Sequence, residues 1–220
     1  MARVPFRAVL WDLDGTLVDS EQYHWQSWRD TMAAEGVALT FAQFRATFGW
    51  RNDAILRRWL GDGADVRRMQ RIGDAKEELY RSLVRTGRLA PLPGAADWVR
   101  RLHGDRWAQA VASSAPRPNI EVVLEAMGLA DAFETTVSAE DVEKGKPDPQ
   151  VFLLAAARLG VPPDQSIVVE DAAAGIEGAR RAGMRSIGVG SNSASQPADI
   201  QTPSLTDLPT DAFVRLLVGR

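Results

Sequence analysis

Short apolar runs that stop abruptly at acidic or turn-forming residues recur along this chain, and stretches of helical spacing lie between them. Ala8 to Trp11 stops at Asp12-Leu13-Asp14-Gly15-Thr16, Trp107 to Ala112 at Ser113-Ser114, and Ile167 to Val169 at Glu170-Asp171. Phe133 to Val137 and Ser186 to Val189 have the same bounded character. Such runs read as buried strands. Helical patterns span Ala95–Leu102, Ile120–Met127, Val151–Leu159 and Ala172–Ala182. The last three are followed by Gly128, Gly160 and Gly183, residues suited to ending a helix. Strand alternating with helix at this spacing predicts an α/β fold, a parallel sheet with helices on both faces.

From about Ser20 to Leu89 the rhythm breaks. His24-Trp25-Gln26-Ser27-Trp28, Phe41-Ala42-Gln43-Phe44, Ile55 to Leu60 and a long charged stretch to Val84 are all helical in spacing. Leu89-Ala90-Pro91-Leu92-Pro93-Gly94 then reads as a stiff connector. The predicted organisation is one α/β domain over residues 1–19 and 90–220, with an all-helical insertion over 20–89 after the first strand. Residues 191–203, rich in Ser, Asn and Pro, are predicted to form a loop before a last helix at Asp211–Leu217.

Composition narrows the chemistry. The chain of 220 residues has 26 basic and 29 acidic residues, a net charge of −3, so the basic excess of a general nucleic-acid or membrane binder is missing. Cysteine is absent, which excludes disulfides, thiol catalysis and thiolate-bound zinc. The longest apolar run, Val151 to Ala157, falls far short of the roughly 20 residues of a membrane span. No secretory pattern opens the chain, and a soluble, cytoplasmic, monomeric protein is expected. Among the basic residues the lysines are only Lys76, Lys144 and Lys146. Arginine serves elsewhere, so these three are candidates for sites that need a compact ammonium.

Parallel α/β sheets bind ligands at the carboxyl ends of their strands. Asp12 and Asp14 follow the first strand, Ser113 and Ser114 the second, Glu170 and Asp171 the fourth, and the third leads to Lys144-Gly145-Lys146-Pro147-Asp148-Pro149. Carboxylates crowded at one edge repel unless a cation sits among them. Hard oxygen donors without His or Cys suit Mg²⁺. A metal-neutralised carboxylate is a competent nucleophile toward phosphorus, and a second carboxyl can protonate the leaving oxygen and later activate water. Ser113 is suited to bonding a non-bridging oxygen and Lys146 to neutralising equatorial charge. Two alternatives stand at this stage: Ser113 as the N-cap of the following helix with Ser114 on the phosphate, and Lys144 as a solvated loop residue.

Asp12-Leu13-Asp14-Gly15-Thr16-Leu17-Val18-Asp19-Ser20, then Ser113, then Lys146-Pro147-Asp148-Pro149, then Glu170-Asp171 with Ala174-Gly175-Ile176, resembles the haloacid dehalogenase superfamily, with all four motifs in order. The resemblance implies a three-layer Rossmann-like core and a small α-helical cap that closes over the site. It implies Asp12 as nucleophile, Asp14 as general acid and base with its carbonyl on Mg²⁺, and Ser113 and Lys146 on the phosphoryl oxygens. Asp171 would be a metal ligand, with Glu170 as a second ligand or a water anchor. Trp11 departs from the Phe usual before the first Asp and is expected to act in packing only. Dehalogenases lack an acid/base residue at the place of Asp14, and phosphonate-cleaving members use a cap lysine just after the first motif, where this chain has none.

Phosphate-ester chemistry on a small phosphorylated metabolite remains. Ser20, Tyr23, His24 and Trp28 follow a pattern similar to sugar-phosphate members. His24 with Lys76 is similar to the His and cap Lys of β-phosphoglucomutases, and Arg51 stands one place from their substrate arginine. His24 is expected to orient Asp14, Lys76 to meet a second phosphate, and Arg51 to contact sugar or phosphate. The structural alternatives are His24 packed between tryptophans and Lys76 as a surface partner of a neighbouring Glu. The expected function is a sugar-phosphate phosphatase, with a β-phosphoglucomutase as the alternative. A phospho-accepting signalling module is a remote third, disfavoured because such modules are half this length and lack a cap.

Overall fold

The computed structural model describes residues 7–190 and 197–218. Its elements in order are β1 (Ala8–Trp11), α1 (Glu21–Ala34), α2 (Phe41–Arg45), α3 (Asn52–Leu60), α4 (Val66–Thr86), α5 (Ala95–Gly104), β2 (Ala108–Ala112) and α6 (Arg117–Met127). They continue with β3 (Thr135–Val137), α7 (Gln150–Leu159), β4 (Ser166–Glu170), α8 (Ala173–Arg181), β5 (Arg185–Val189), β6 (Ile200–Thr202) and α9 (Ala212–Val218). The strands form one parallel sheet in the order β3-β2-β1-β4-β5-β6. No helix of the described residues is long and apolar enough to cross a membrane.

β1 lies between β2 and β4, and alternation of its side chains divides the core. Val9 and Trp11 pack with residues of α5, α6 and α9, while Ala8 and Leu10 pack with residues of α7 and α8. Both faces are covered, which is why the strand reads as a continuous apolar run rather than an alternating one. In register, Trp11 stands level with Val111 and Val169. The residues that follow these three therefore reach the same edge of the sheet, at the point where strand order turns outward from β1 in both directions.

The helical segment has its own apolar cluster of Trp28, Met32, Phe44, Ile55, Leu56, Met69 and Ile72. α4 spans both parts: Met69 and Ile72 belong to that cluster, and Tyr80 and Val84 to the core cluster beneath the sheet. Local chemistry sets its start, with the Asp65 carboxylate accepting from the Arg68 N–H at 2.7 Å. α6 and α7 end at Gly128 and Gly160 in the left-handed conformation, as expected.

One expectation is overturned. The stretch predicted as a loop over 191–203 contains β6, which extends the sheet beyond β5. Three residues are too few to show a period, and this strand exists because β5 offers a free edge. Residues 191–196 of that prediction lie outside the described residues. Trp11 is fully buried, yet it does more than pack: its Nε1–H donates to Gln109 Oε1 at 2.9 Å.

Candidate active site

Asp12 follows β1 directly, its N–H donating to the Val169 carbonyl at 3.0 Å, so the last ladder bond of the sheet sets its position. Its Oδ1 accepts from Lys146 Nζ at 2.5 Å. Lys146 reaches in from the loop between β3 and α7 and also donates to Glu170 Oε1 at 2.6 Å. Carboxylate oxygens of Asp12, Glu170 and Asp171 lie within 4.8 Å of one another.

Two glycines permit this crowding. Gly15 has φ +88°, which favours glycine, and a Cβ there would stand 2.4 Å from Asp171 Oδ2. A Cβ on Gly175 would stand 2.0 Å from Glu170 Cδ and Oε1. Glu170 Oε2 is held by the Ala172 N–H at 2.7 Å.

Burial pushes the Asp12 carboxyl well above its ordinary range, and Glu170 and Asp171 add to the rise against the pull of Lys146. Burial and the Glu170 charge push Asp171 up to about 7. For Lys146, burial would lower the ammonium, but the facing charges of Asp12 and Glu170 outweigh it and raise it. Three carboxylates thus share one ammonium, and a hard divalent cation fits the oxygen donors and relieves the excess charge.

Asp14 faces the other way. Ser20 Oγ donates to its Oδ1, and His24 Nε2 lies 3.3 Å from the same oxygen. Burial would raise this carboxyl, but its interaction with His24, together with the hydrogen bond from Ser20, holds it below the ordinary value. His24 packs not between tryptophans but flat on Tyr80, ring centroids 4.0 Å apart, with Phe48 at its edge. Its Nδ1 meets Lys76 Nζ at 3.0 Å. Lys76 is no surface residue. It is 1% exposed, bonded to Glu77 Oε1 at 2.9 Å, and stands 5.2 Å from the ring centres of both Trp28 and Tyr80.

Ser113 is buried after β2, and its Oγ accepts from the Ala115 N–H at 3.1 Å. It therefore closes a turn rather than capping α6, whose N-cap is Pro116. Ser113 and Ser114 both line a cleft of 920 Å³ between sheet edge and helical segment, together with Asp12, Asp14, His24, Lys76, Lys146, Glu170 and Asp171. Lys144 is exposed. Arg51 lines the cleft while its guanidinium donates to the Ala139 and Val142 carbonyls at 3.2 and 3.3 Å, joining the helical segment to the α/β part.

Sequence reasoning passed over Glu77, Asn119 and the aromatic lining of Phe44, Phe48 and Trp50. A glutamate inside a charged helix and an asparagine after a proline turn carry no local mark of burial. The glycine at 175 was a readable signal, since it follows three alanines in a helical pattern.

A family model described as haloacid dehalogenase-like hydrolase matches residues 6–183. The chain is 30% identical to protein CbbY of Rhodobacter capsulatus over 96% of its length and 98% of the relative's. It is 35% identical to the fructose-1-phosphate phosphatase YqaB of Escherichia coli, covering 84% and 96%. With the β-phosphoglucomutase of Bacillus subtilis it shares 31% identity, covering 92% and 91%. A crystal structure of β-phosphoglucomutase from Clostridium difficile superposes with a TM-score of 0.87 at 25% identity, covering 97% of this chain and 98% of that one.

Proposed function

The chain belongs to the haloacid dehalogenase-like hydrolases, and from that premise we propose that it is a phosphatase of small phosphorylated metabolites such as sugar phosphates, working through an aspartyl-phosphate. The observation that carries this reading is the division between two carboxylates two residues apart. Asp12 faces Lys146 and the acidic cluster, whereas Asp14 faces Ser20 and His24. Lys146, and Mg²⁺ when bound, oppose the rise that burial imposes on Asp12 and favour the ionised form a nucleophile needs. Asp14 stands apart from the acidic cluster, held by Ser20 and His24 where it can exchange a proton.

In the proposed sequence an Asp12 oxygen bonds to phosphorus as the bond from phosphorus to the ester oxygen breaks, and Asp14 gives the departing oxygen a proton. Water then gives a proton to Asp14 and attacks phosphorus, which frees phosphate and restores Asp12. Ser113 and Lys146 hold the non-bridging oxygens, with Ser114 lining the same corner. The carboxylates of Asp12 and Asp171, the Asp14 carbonyl, and Glu170 directly or through water would hold Mg²⁺. When bound, Mg²⁺ neutralises the charge that these carboxylates and the phosphate bring together. The helical segment, residues 20–89, serves as the cap over a core of 1–19 and 90–220. The exposed large apolar side chains, among them Phe41, Trp50, Val66, Leu153 and Val214, are scattered over several elements, which supports a monomer. The cytoplasm, where such metabolites are made, is the proposed location.

Hydrolysis ranks above mutase activity because of how the cleft's cations are spent. Among the described residues, Arg45 pairs with Glu21 at 2.9 Å, Arg51 serves two carbonyls, and Lys76 pairs with Glu77. Lys146 stands at the reacting carboxylates. A mutase handles a bisphosphate, and a second phosphate here would have to displace one of these partners.

The test supplies purified protein with Mg²⁺, β-glucose 1-phosphate and a trace of the 1,6-bisphosphate, then a panel of sugar and sugar-alcohol phosphates. Free phosphate and glucose 6-phosphate are followed together. Phosphate release is expected. Glucose 6-phosphate without phosphate release would replace this reading by the mutase, and no turnover of any phosphate ester, aryl phosphates included, would refute it.

A further inference from the structure

Asn119 sits in the first turn of α6, in the α/β part where it meets α4, and is 1% exposed. Two residues one turn apart on α4 grip its amide. Its Nδ2 donates to Glu77 Oε2 at 2.5 Å, and its Oδ1 accepts from Arg81 at 3.2 Å. Glu77 is 6% exposed, and its other oxygen accepts from Asn52 Nδ2 at 2.7 Å and from Lys76 Nζ at 2.9 Å. Lys76 continues the chain to His24 Nδ1. An ammonium can only donate, so Nδ1 must present its lone pair and the ring's remaining proton sits on Nε2, the atom facing Asp14.

We propose that Glu77 and Asn119 are positioning residues for Asp14: the α/β part's own Asn119 completes, through Glu77, Lys76 and His24, the hydrogen-bond chain that fixes the His24 tautomer and aims the Asp14 carboxylate. The inference rests on Asp14 being the acid and base of the proposed phosphatase. The chain leaves the α/β part at Asn119, crosses three side chains of the helical segment and returns at Asp14, so it is complete only when the two parts are docked. A buried Glu77 without Asn119 lacks a donor on Oε2 and is free to turn from Lys76, and the imidazole then loses the partner that sets its proton. Asp14 thereby becomes competent to activate water at the moment the cleft is closed to bulk solvent.

The test uses p-nitrophenyl phosphate, whose leaving group departs without a proton, so that acylation-like phosphorylation of Asp12 is insulated from Asp14 while hydrolysis of the aspartyl-phosphate is not. Asn119→Ala is expected to keep a full burst of nitrophenol and to slow the steady phase by about tenfold or more, the usual scale for a lost hydrogen bond to a buried charge. Asn119→Asp sets two carboxylates face to face and is expected to be slower still. Combining it with Glu77→Gln reverses donor and acceptor along the same bond, and at least a fivefold recovery over Asn119→Asp alone is expected (~1 kcal/mol of coupling). Unchanged steady rates in Asn119→Ala, or burst and steady phase falling together in variants with wild-type melting temperatures, would overturn the positioning role. A double variant no better than Asn119→Asp would do the same even if the single variants fold poorly. A wild-type protein without turnover would instead overturn the phosphatase reading itself.

Discussion

Lys146 Nζ lies 2.5 Å from Asp12 Oδ1, although 134 positions separate the two residues in the chain. The contact follows from sheet order. β1 ends in the middle of the sheet, Glu170 arrives from its neighbour β4, and the loop after β3 turns its lysine inward over both. One ammonium then faces three carboxylates, an arrangement that favours a divalent cation and a phosphoryl group together.

Asp12→Asn is expected to abolish turnover by roughly four orders of magnitude or more, the scale seen when a nucleophile is removed. Lys146 keeps its bond to Glu170, so the fold should persist. Steady-state rates with a melting curve decide this, and appreciable residual activity in a folded variant would remove Asp12 from its proposed role.

Gly175→Ala opposes two effects. Helix propensity alone favours alanine by up to about 1 kcal/mol. A Cβ 2.0 Å from the Glu170 carboxyl cannot be accommodated, and the carboxylate must leave its place beside Asp12 and Lys146. Loss of activity and a weaker rise of melting temperature with added Mg²⁺ are expected. A variant that is more stable and equally active would show that the position of Glu170 is unimportant.

Trp11→Phe preserves the apolar body of the side chain but removes the donor to Gln109 Oε1. A buried acceptor left without its partner costs about 1–3 kcal/mol. The variant should melt several degrees lower while kcat stays within about twofold, because the ring lies beneath the sheet rather than in the cleft. Melting curves read beside kinetics check it. An unchanged melting temperature would return Trp11 to packing alone.

Asp141 ties α6 to α7 around the end of β3. It accepts from the Ser138 N–H at 2.8 Å, from Arg117 at 2.5 Å and from Arg158 at 2.6 Å. Burial opposes its ionisation, but Arg158, Ser138 and Arg117 together hold the carboxyl well below its ordinary value of 3.8. A carboxyl lowered by folding stabilises above its unfolded value, and that stabilisation drains as pH falls toward the folded one. Asp141→Asn should therefore cost about 2 kcal/mol at pH 7, with the gap to wild type narrowing below pH 3.8. Melting both proteins across pH 7 to 3 tests the sign; a constant gap would show that the ion pairs are not its source.

Much of the site was legible because its signals are local. Asp12-Leu13-Asp14-Gly15-Thr16 at the end of an apolar run says where a strand stops and which side chains stand at its edge, and Gly128 and Gly160 say where helices stop. β6 escaped because three residues carry no period and its existence depends on the edge of β5. Glu77 and Asn119 escaped for the same kind of reason, since nothing in a charged helix or a proline turn marks which polar residue will be buried and paired.

The order of apolar runs, turn residues and four short motifs thus determined the fold class, the family and which side chains stand at the strand ends, since each depends on residues close together in the chain. Tertiary structure alone decided that Lys146 bridges Asp12 and Glu170, that Lys76 is buried against Glu77, and that Arg51 spans the two parts of the molecule. Coulomb interactions and hydrogen bonds depend on distance in space, and burial multiplies both. The protonation and orientation of each group therefore belong to the packed molecule and to no segment of its sequence.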